Sequence, residues 1–146
     1  MERVKKLEIN GRIVHYGVGA VIKKDGKYLL IDRAEEPYGF ACITGHLRRG
    51  ESPEDALARE VKEEVNLEVL SYKLMFERMI NNRECKSGKA LHYCYIFEAC
   101  VKSNGKIEPN DEVKSADWYF EKDIKNLCSI LVNLLTKGED EPEEQA

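Results

Sequence analysis

The chain has 146 residues, 42% apolar and 34% charged, which suits one folded core and excludes a disordered or membrane-embedded polypeptide. Its net charge of −4 resides in the last nine residues: GEDEPEEQA holds five acids and no Lys or Arg, so residues 1–137 carry +1 and lack the excess positive charge expected of a nucleic-acid binder. No apolar run approaches the ~20 residues that span a bilayer, and MERVKKLEIN has no signal-peptide core, so a cytoplasmic protein with no membrane partner is expected.

In chain order, HYGVGAVIKKDGKYLLIDR (15–33) is a pair of apolar runs joined by Lys-Asp-Gly-Lys, a hairpin signal. SPEDALAREVKEEVN (52–66) reads as a helix, with Ser52 as N-cap, Pro53 in the first turn, Asp55 completing a loose capping box and Asn66 as the stop. LEVLSYKLMFERMI (67–80) and ALHYCYIFEACV (90–101) are long strands, and the polar, basic stretch NNRECKSGK (81–89) between them reads as a loop. Asn104-Gly105 marks a turn, ADWYF (116–120) a short last strand, and IKNLCSILVNLL (124–135) an amphipathic helix. A mixed sheet with a helix on each face, an α/β/α sandwich, is the natural packing for this order. The expected organisation is a single domain over 1–136 and an acidic tail over 137–146 with the composition of a disordered, solvated end.

Five cysteines, Cys42, Cys85, Cys94, Cys100 and Cys128, show no CxxC pair and no His-linked zinc spacing. Cys42, Cys94 and Cys100 lie in apolar runs and read as small core residues, whereas Cys85 falls in the polar loop. Reduced thiols fit the expected cytosolic location.

The helix carries a local contradiction. At ~100° per residue Leu57, Val61 and Val65 form one apolar stripe, and Glu60, Glu63 and Glu64 crowd its edge. Like charges at i+3 and i+4 cost roughly 0.2–0.5 kcal/mol per pair, and the helix C-terminus disfavours anions further. Arg59, four residues before Glu63, offsets part of this. A solvated charged face is the ordinary reading of such a run, but a local rule broken without visible compensation also marks functional sites.

The surrounding residues decide between these readings. From Gly45 the chain reads GHLRRGESPEDALAREVKEEVNL, which closely resembles the signature of the Nudix hydrolase family: Gly45, Glu51, Arg59, Glu60, Glu63 and Glu64 are in register, and Val61 and Leu67 fill its two apolar positions. Asn66 stands where the signature has its final Gly, and Asn is the next most tolerant residue for a left-handed turn. Upstream, Ile43-Thr44 replaces the Pro-Gly common in the family, and Arg48 takes an often acidic position.

The resemblance implies an α/β/α fold and a divalent-metal-dependent pyrophosphohydrolase that cleaves a nucleoside diphosphate linked to another group. It implies metal ligands at the Gly45 carbonyl, Glu60, Glu63 and Glu64, with Mg²⁺ or Mn²⁺ as cofactor and Glu63 or Glu64 accepting a proton. Glu51 and Arg59 are expected to pair and pin the loop to the helix. A further acid often completes such a site; Glu112 is preferred over its neighbour Asp111 and over Glu98 inside a strand. Arg33 is a candidate phosphate contact and Tyr38 a candidate base-stacking residue, with Phe40 reading as core and His92 facing either a cleft or a sheet neighbour.

There is no proline at the downstream spacing associated with ADP-ribose hydrolases and no clear coenzyme A signature, so a nucleoside di- or triphosphate is the leading small-molecule substrate. The alternatives are a nucleotide-binding sensor without turnover and an RNA 5′-end pyrophosphohydrolase, the latter disfavoured by the missing basic stripe. A homodimer is compatible with the sequence.

Overall fold

The computed structural model describes residues 7–9, 12–35, 38–80, 91–102 and 104–127. Its elements are β1 (Leu7–Ile9), β2 (Arg12–Lys24), β3 (Lys27–Arg33), β4 (Gly39–Ala41), β5 (Ile43–His46), α1 (Pro53–Val65), β6 (Val69–Ile80), β7 (Leu91–Val101), β8 (Val113–Phe120) and α2 (Glu121–Leu127). The expected hairpin is β2–β3, closed by Asp25 and Gly26 with φ of 53° and 77°; two successive left-handed residues make the tight turn whose twist matches the strands. The expected last helix begins three residues early, and its continuation beyond Leu127, the 81–89 loop, Cys85, Cys128 and the acidic tail lie outside the described residues.

Strand β2 is the spine. It runs parallel to β7 from Val14 to Ile22 and antiparallel to β5, β1 and β3, while β6 adds antiparallel to β7. Strands β4 and β8 flank β3. The result is the mixed sheet with flanking helices expected from the element order. Two short strands, β4 and β5, lie between the hairpin and α1, where no element is expected from the sequence.

Strand alternation assigns the two faces. Val18, Ala20 and Ile22 of β2 and Tyr95, Phe97 and Ala99 of β7 pack with Ala56, Leu57, Val61 and Val65 of α1. Val21 of β2 and Ile96 of β7 point the other way, to a second cluster that includes Ile124 of α2. Leu57 and Val61 are essentially buried, and each such side chain contributes roughly 1.5–3 kcal/mol through burial. Among the cysteines, Cys42 is buried and Cys94 half-buried. Cys100 corrects the sequence expectation: it is exposed, because the outer end of β7 lets its outward positions meet solvent.

Helix α1 follows its sequence closely. Ser52 is the N-cap, its hydroxyl accepting from the Asp55 amide at 3.1 Å. Asn66 closes the other end in the left-handed conformation (φ 62°, ψ 35°), its amide donating to the Lys62 carbonyl.

Candidate active site

Glycine at position 45 lets β5 and α1 meet closely. A Cβ there would overlap the Glu60 carboxylate, so only a hydrogen fits between the strand and the first acid of the cluster. Glu60 is thereby held beside the Gly45 backbone.

Arg59 organises the anions around it. Its Nε and Nη2 donate to the two oxygens of Glu51 at 2.7 and 2.9 Å, a bidentate pair with both side chains about 15% exposed (16% and 14%). Nη2 also donates to the His46 carbonyl at 3.0 Å, and Nη1 to Glu60 at 2.9 Å and Glu63 at 3.2 Å. The Arg48 amide completes the Glu51 environment at 2.9 Å. The Arg59 bond first, aided by the Arg48 amide, holds the Glu51 carboxyl below the usual carboxylate range, and the same pairing raises Arg59. Thus the expected pinning of loop to helix is present.

Glu63 and Glu64 occupy different environments. Glu63 is exposed and accepts from the Arg48 guanidinium at 3.2 Å as well as from Arg59. The Arg48 contact is a surface pair worth about 0–1 kcal/mol, so Glu63 exchanges partners at little cost. Glu64 is buried, 5% exposed. Burial first, then its hydrogen bond to Glu60 and the negative charges of Glu60 and Glu112, push its carboxyl well above the normal range; Arg33 pulls the other way.

The influence of Glu112 and Arg33 on Glu64 has a structural origin. Residues 105–112 run back over the end of α1, where the Glu108 amide donates to the Val65 carbonyl at 2.9 Å and the Asn110 amide to the Glu64 carbonyl at 3.2 Å. The Asn66 side chain donates to Glu108 at 2.9 Å, so this residue both supplies the left-handed turn and ties the returning chain, a second role unavailable to glycine. Asn110 then accepts from the Glu112 amide, and the Glu112 carbonyl accepts from the Ala34 amide at 3.0 Å. Arg33 pairs with both Gly39 and Val113, so Arg33, Tyr38 and Glu112 gather at one end of β3, β4 and β8. Asn66 is expected from the sequence as the helix stop, but its side-chain tie to Glu108 is not, nor are the backbone contacts of Glu108 and Asn110 with the end of α1.

Tyr38 is 65% exposed, with the Lys114 ammonium 5.6 Å from its ring. Phe40 is half-buried and packs against the second core cluster, edge-on to Tyr119. Glu98 shares strand parity with Ile96 and therefore faces away from α1, which separates it from the carboxylate cluster. His92 is buried on that same far face and contacts His46 at 3.2 Å, so it belongs to a sheet-face cluster and not to the carboxylate cleft.

Chemically, the cluster is a hard, oxygen-donor site. Buried Glu64 lies against Glu60, two carboxylates that repel unless a proton or a cation is shared between them, and Gly45 leaves space where a side chain would collide with Glu60. The residues therefore fit a divalent cation. An acid cluster at a helix end, with a loop clamped to that helix by one Arg, is a donor set suited to the divalent cation of a phosphate-handling hydrolase.

The family follows directly. The NUDIX domain family profile matches residues 14–136, and the chain belongs to that family of hydrolases. It is 27% identical over 113 residues to a protein named nucleoside triphosphatase NudI from Escherichia coli O139:H28, covering 71% of this chain and 80% of the relative. It is 30% identical over 115 residues to a protein named ADP-ribose pyrophosphatase from Methanocaldococcus jannaschii, covering 77% of this chain and 64% of that one. Among solved structures, a MutT NUDIX hydrolase from Burkholderia pseudomallei superposes with a TM-score of 0.72 at 21% identity, over 84% of this chain and 96% of the other. Family members generally use divalent metals. No described helix is long and apolar enough to cross a membrane.

Proposed function

We propose that the protein is a Mg²⁺- or Mn²⁺-dependent pyrophosphohydrolase acting on a nucleoside di- or triphosphate. The observation that carries this reading is the pairing of buried Glu64 with Glu60 beside the Gly45 backbone, an oxygen-rich cluster within electrostatic reach of Arg33. The Gly45 carbonyl, Glu60, Glu63 and Glu64 would hold the cation, which when bound would neutralise diphosphate charge and acidify a water. Arg33 orients the phosphate chain, and Tyr38, exposed near it, stacks on the base. Water forms the new P–O bond as the bridging P–O bond breaks, the leaving phosphate departs with the electron pair, and the water's proton passes to a carboxylate. Glu63, Glu64 and Glu112 are the catalytic carboxylates in this reading. Glu51 and Arg59 keep the Gly45 strand and α1 in register and touch no substrate.

The nucleoside triphosphatase relative supports the substrate class, and the relative named as an ADP-ribose pyrophosphatase supplies the competing one. A screen of phosphate and pyrophosphate release across nucleoside di- and triphosphates, ADP-ribose, nucleotide sugars and dinucleoside polyphosphates tests both. Turnover of nucleoside di- or triphosphates that requires Mg²⁺ or Mn²⁺ and stops on chelation is expected. Faster turnover of ADP-ribose would overturn the substrate assignment, and nucleotide binding without turnover of any compound would make the protein a sensor.

A further inference from the structure

Three imidazoles meet on the face of the sheet away from the carboxylates. His15 of β2 is the direct register partner of His92 on β7, and His46 of β5 stands opposite Gly17, two residues along from His15. Strand alternation puts all three rings on one face. A Cβ at Gly45 would meet Glu60 of α1, so the next residue, His46, points to the opposite side. The ring centroids are 5.3–5.6 Å apart, the Nε2 atoms of His46 and His92 are 3.2 Å apart, and one nitrogen from each ring lies within 4.8 Å of the others.

A hydrogen bond between His46 and His92 accounts for two of the three rings and leaves the approach of His15 to both of them unexplained. Each neutral imidazole has one donor and one acceptor, and the bond uses only one nitrogen of His92. Its Nδ1 is buried with no hydrogen-bond partner among the described residues, and the nitrogen that faces His46 is Nε2.

Ligand geometry offers a reason for convergence. Metal–imidazole bonds of ~2.0–2.1 Å place neighbouring nitrogens of a tetrahedral site about 3.3–3.4 Å apart. The His46–His92 separation of 3.2 Å is close to that edge, and a side-chain rotation at half-buried His15 closes the third. His46 is exposed, so an ion has an entry path from solvent, whereas buried His92 forms the floor. Imidazole nitrogens select zinc-class transition metals over Mg²⁺, which takes oxygen donors.

We propose that His15, His46 and His92 form a second metal site, for Zn²⁺ or a similar transition-metal ion such as Co²⁺ or Ni²⁺, distinct from the carboxylate cluster on the other side of the sheet. The ion joins β2, β5 and β7 where the strands lie side by side. His46 adjoins Gly45, so the bound ion braces the strand that carries the candidate carbonyl ligand of the carboxylate site. This site stands on its own residues and does not depend on the proposed substrate.

The test titrates metal-free, full-length protein with Zn²⁺ by calorimetry and with Co²⁺ by visible absorption, which reports a low-coordinate nitrogen site directly. Wild type and the Glu60→Gln/Glu64→Gln double variant are compared with His46→Gln and His15→Gln; circular dichroism melting verifies that each is folded. A Zn²⁺ equivalent that survives loss of the two glutamates, weakens at least ~10-fold in each histidine variant and raises the melting temperature of wild type is the expected result. Zn²⁺ affinity and the Co²⁺ spectrum unchanged in both folded histidine variants would overturn the site. So would Zn²⁺ binding abolished by the glutamate substitutions and untouched by the histidine ones.

Discussion

Replacing Glu51 by Gln removes the charge that faces both arms of the Arg59 fork. The bidentate pair has bonds of 2.7 and 2.9 Å and side chains 16% and 14% exposed, between the surface regime of about 0–1 kcal/mol and the buried regime of about 3–5 kcal/mol. Arg59 keeps the His46 carbonyl, Glu60 and Glu63 as partners, which limits the damage, so Glu51→Gln should lower stability by about 2 kcal/mol. For a domain of this size that corresponds to a fall of roughly 4–8 °C in Tm. The folded Glu51 carboxyl lies below its ordinary value of 4.5, so its contribution is present above that pH and is lost as pH falls through the folded value. The assay is urea unfolding at neutral pH of wild type, Glu51→Gln, Arg59→Ala and the double variant. Coupling of about 1.5–3 kcal/mol is expected. Effects that add within ~0.5 kcal/mol would refute the clamp.

Other consequences concern the metal cleft and the chain end. Glu64 in the metal-free fold binds its proton more tightly than its ordinary value of 4.5, so between that value and the raised one the folded state holds more protons than the unfolded state, and stability should fall as pH rises. Glu64→Gln should flatten this decline in melting curves recorded with chelator; an unchanged slope would contradict the burial argument. Gly45→Ala forces the new methyl against Glu60, and a loss of about 1–3 kcal/mol with weaker Mg²⁺ binding is expected in parallel melting and calorimetry experiments. The tail after Thr136 has no apolar side chain beyond Pro142 and Ala146 to dock it, so truncation there should leave Tm unchanged and preserve or modestly raise turnover at low ionic strength; a large loss of Tm or kcat would show that the tail packs on the domain.

Local chemistry made most of the helix and the hairpin legible. Ser52, Asn66 and Asp25-Gly26 are short-range devices, and the structure uses each as its residue type dictates. The Glu51–Arg59 clamp was also foreseeable, because both residues belong to one motif. Strands β4 and β5 were not, since short segments owe their form to pairing with β3 and β2 and carry little periodicity. The exclusion of Glu98 required strand parity across the sheet, and the approach of Glu112 to Glu64 required the backbone bonds from Glu108 and Asn110 to the end of α1. The histidine cluster was invisible for the same reason: positions 15, 46 and 92 become neighbours only through the β5–β2–β7 register.

The most direct test of the carboxylate cluster as a metal-dependent catalytic site is Mg²⁺ calorimetry on Glu60→Gln and Glu64→Gln, run beside turnover of the best substrate from the nucleotide screen. Both variants should remain folded, bind Mg²⁺ at least ~10-fold more weakly than wild type, and lose turnover in proportion. Wild-type Mg²⁺ affinity and turnover in both folded variants would contradict the account.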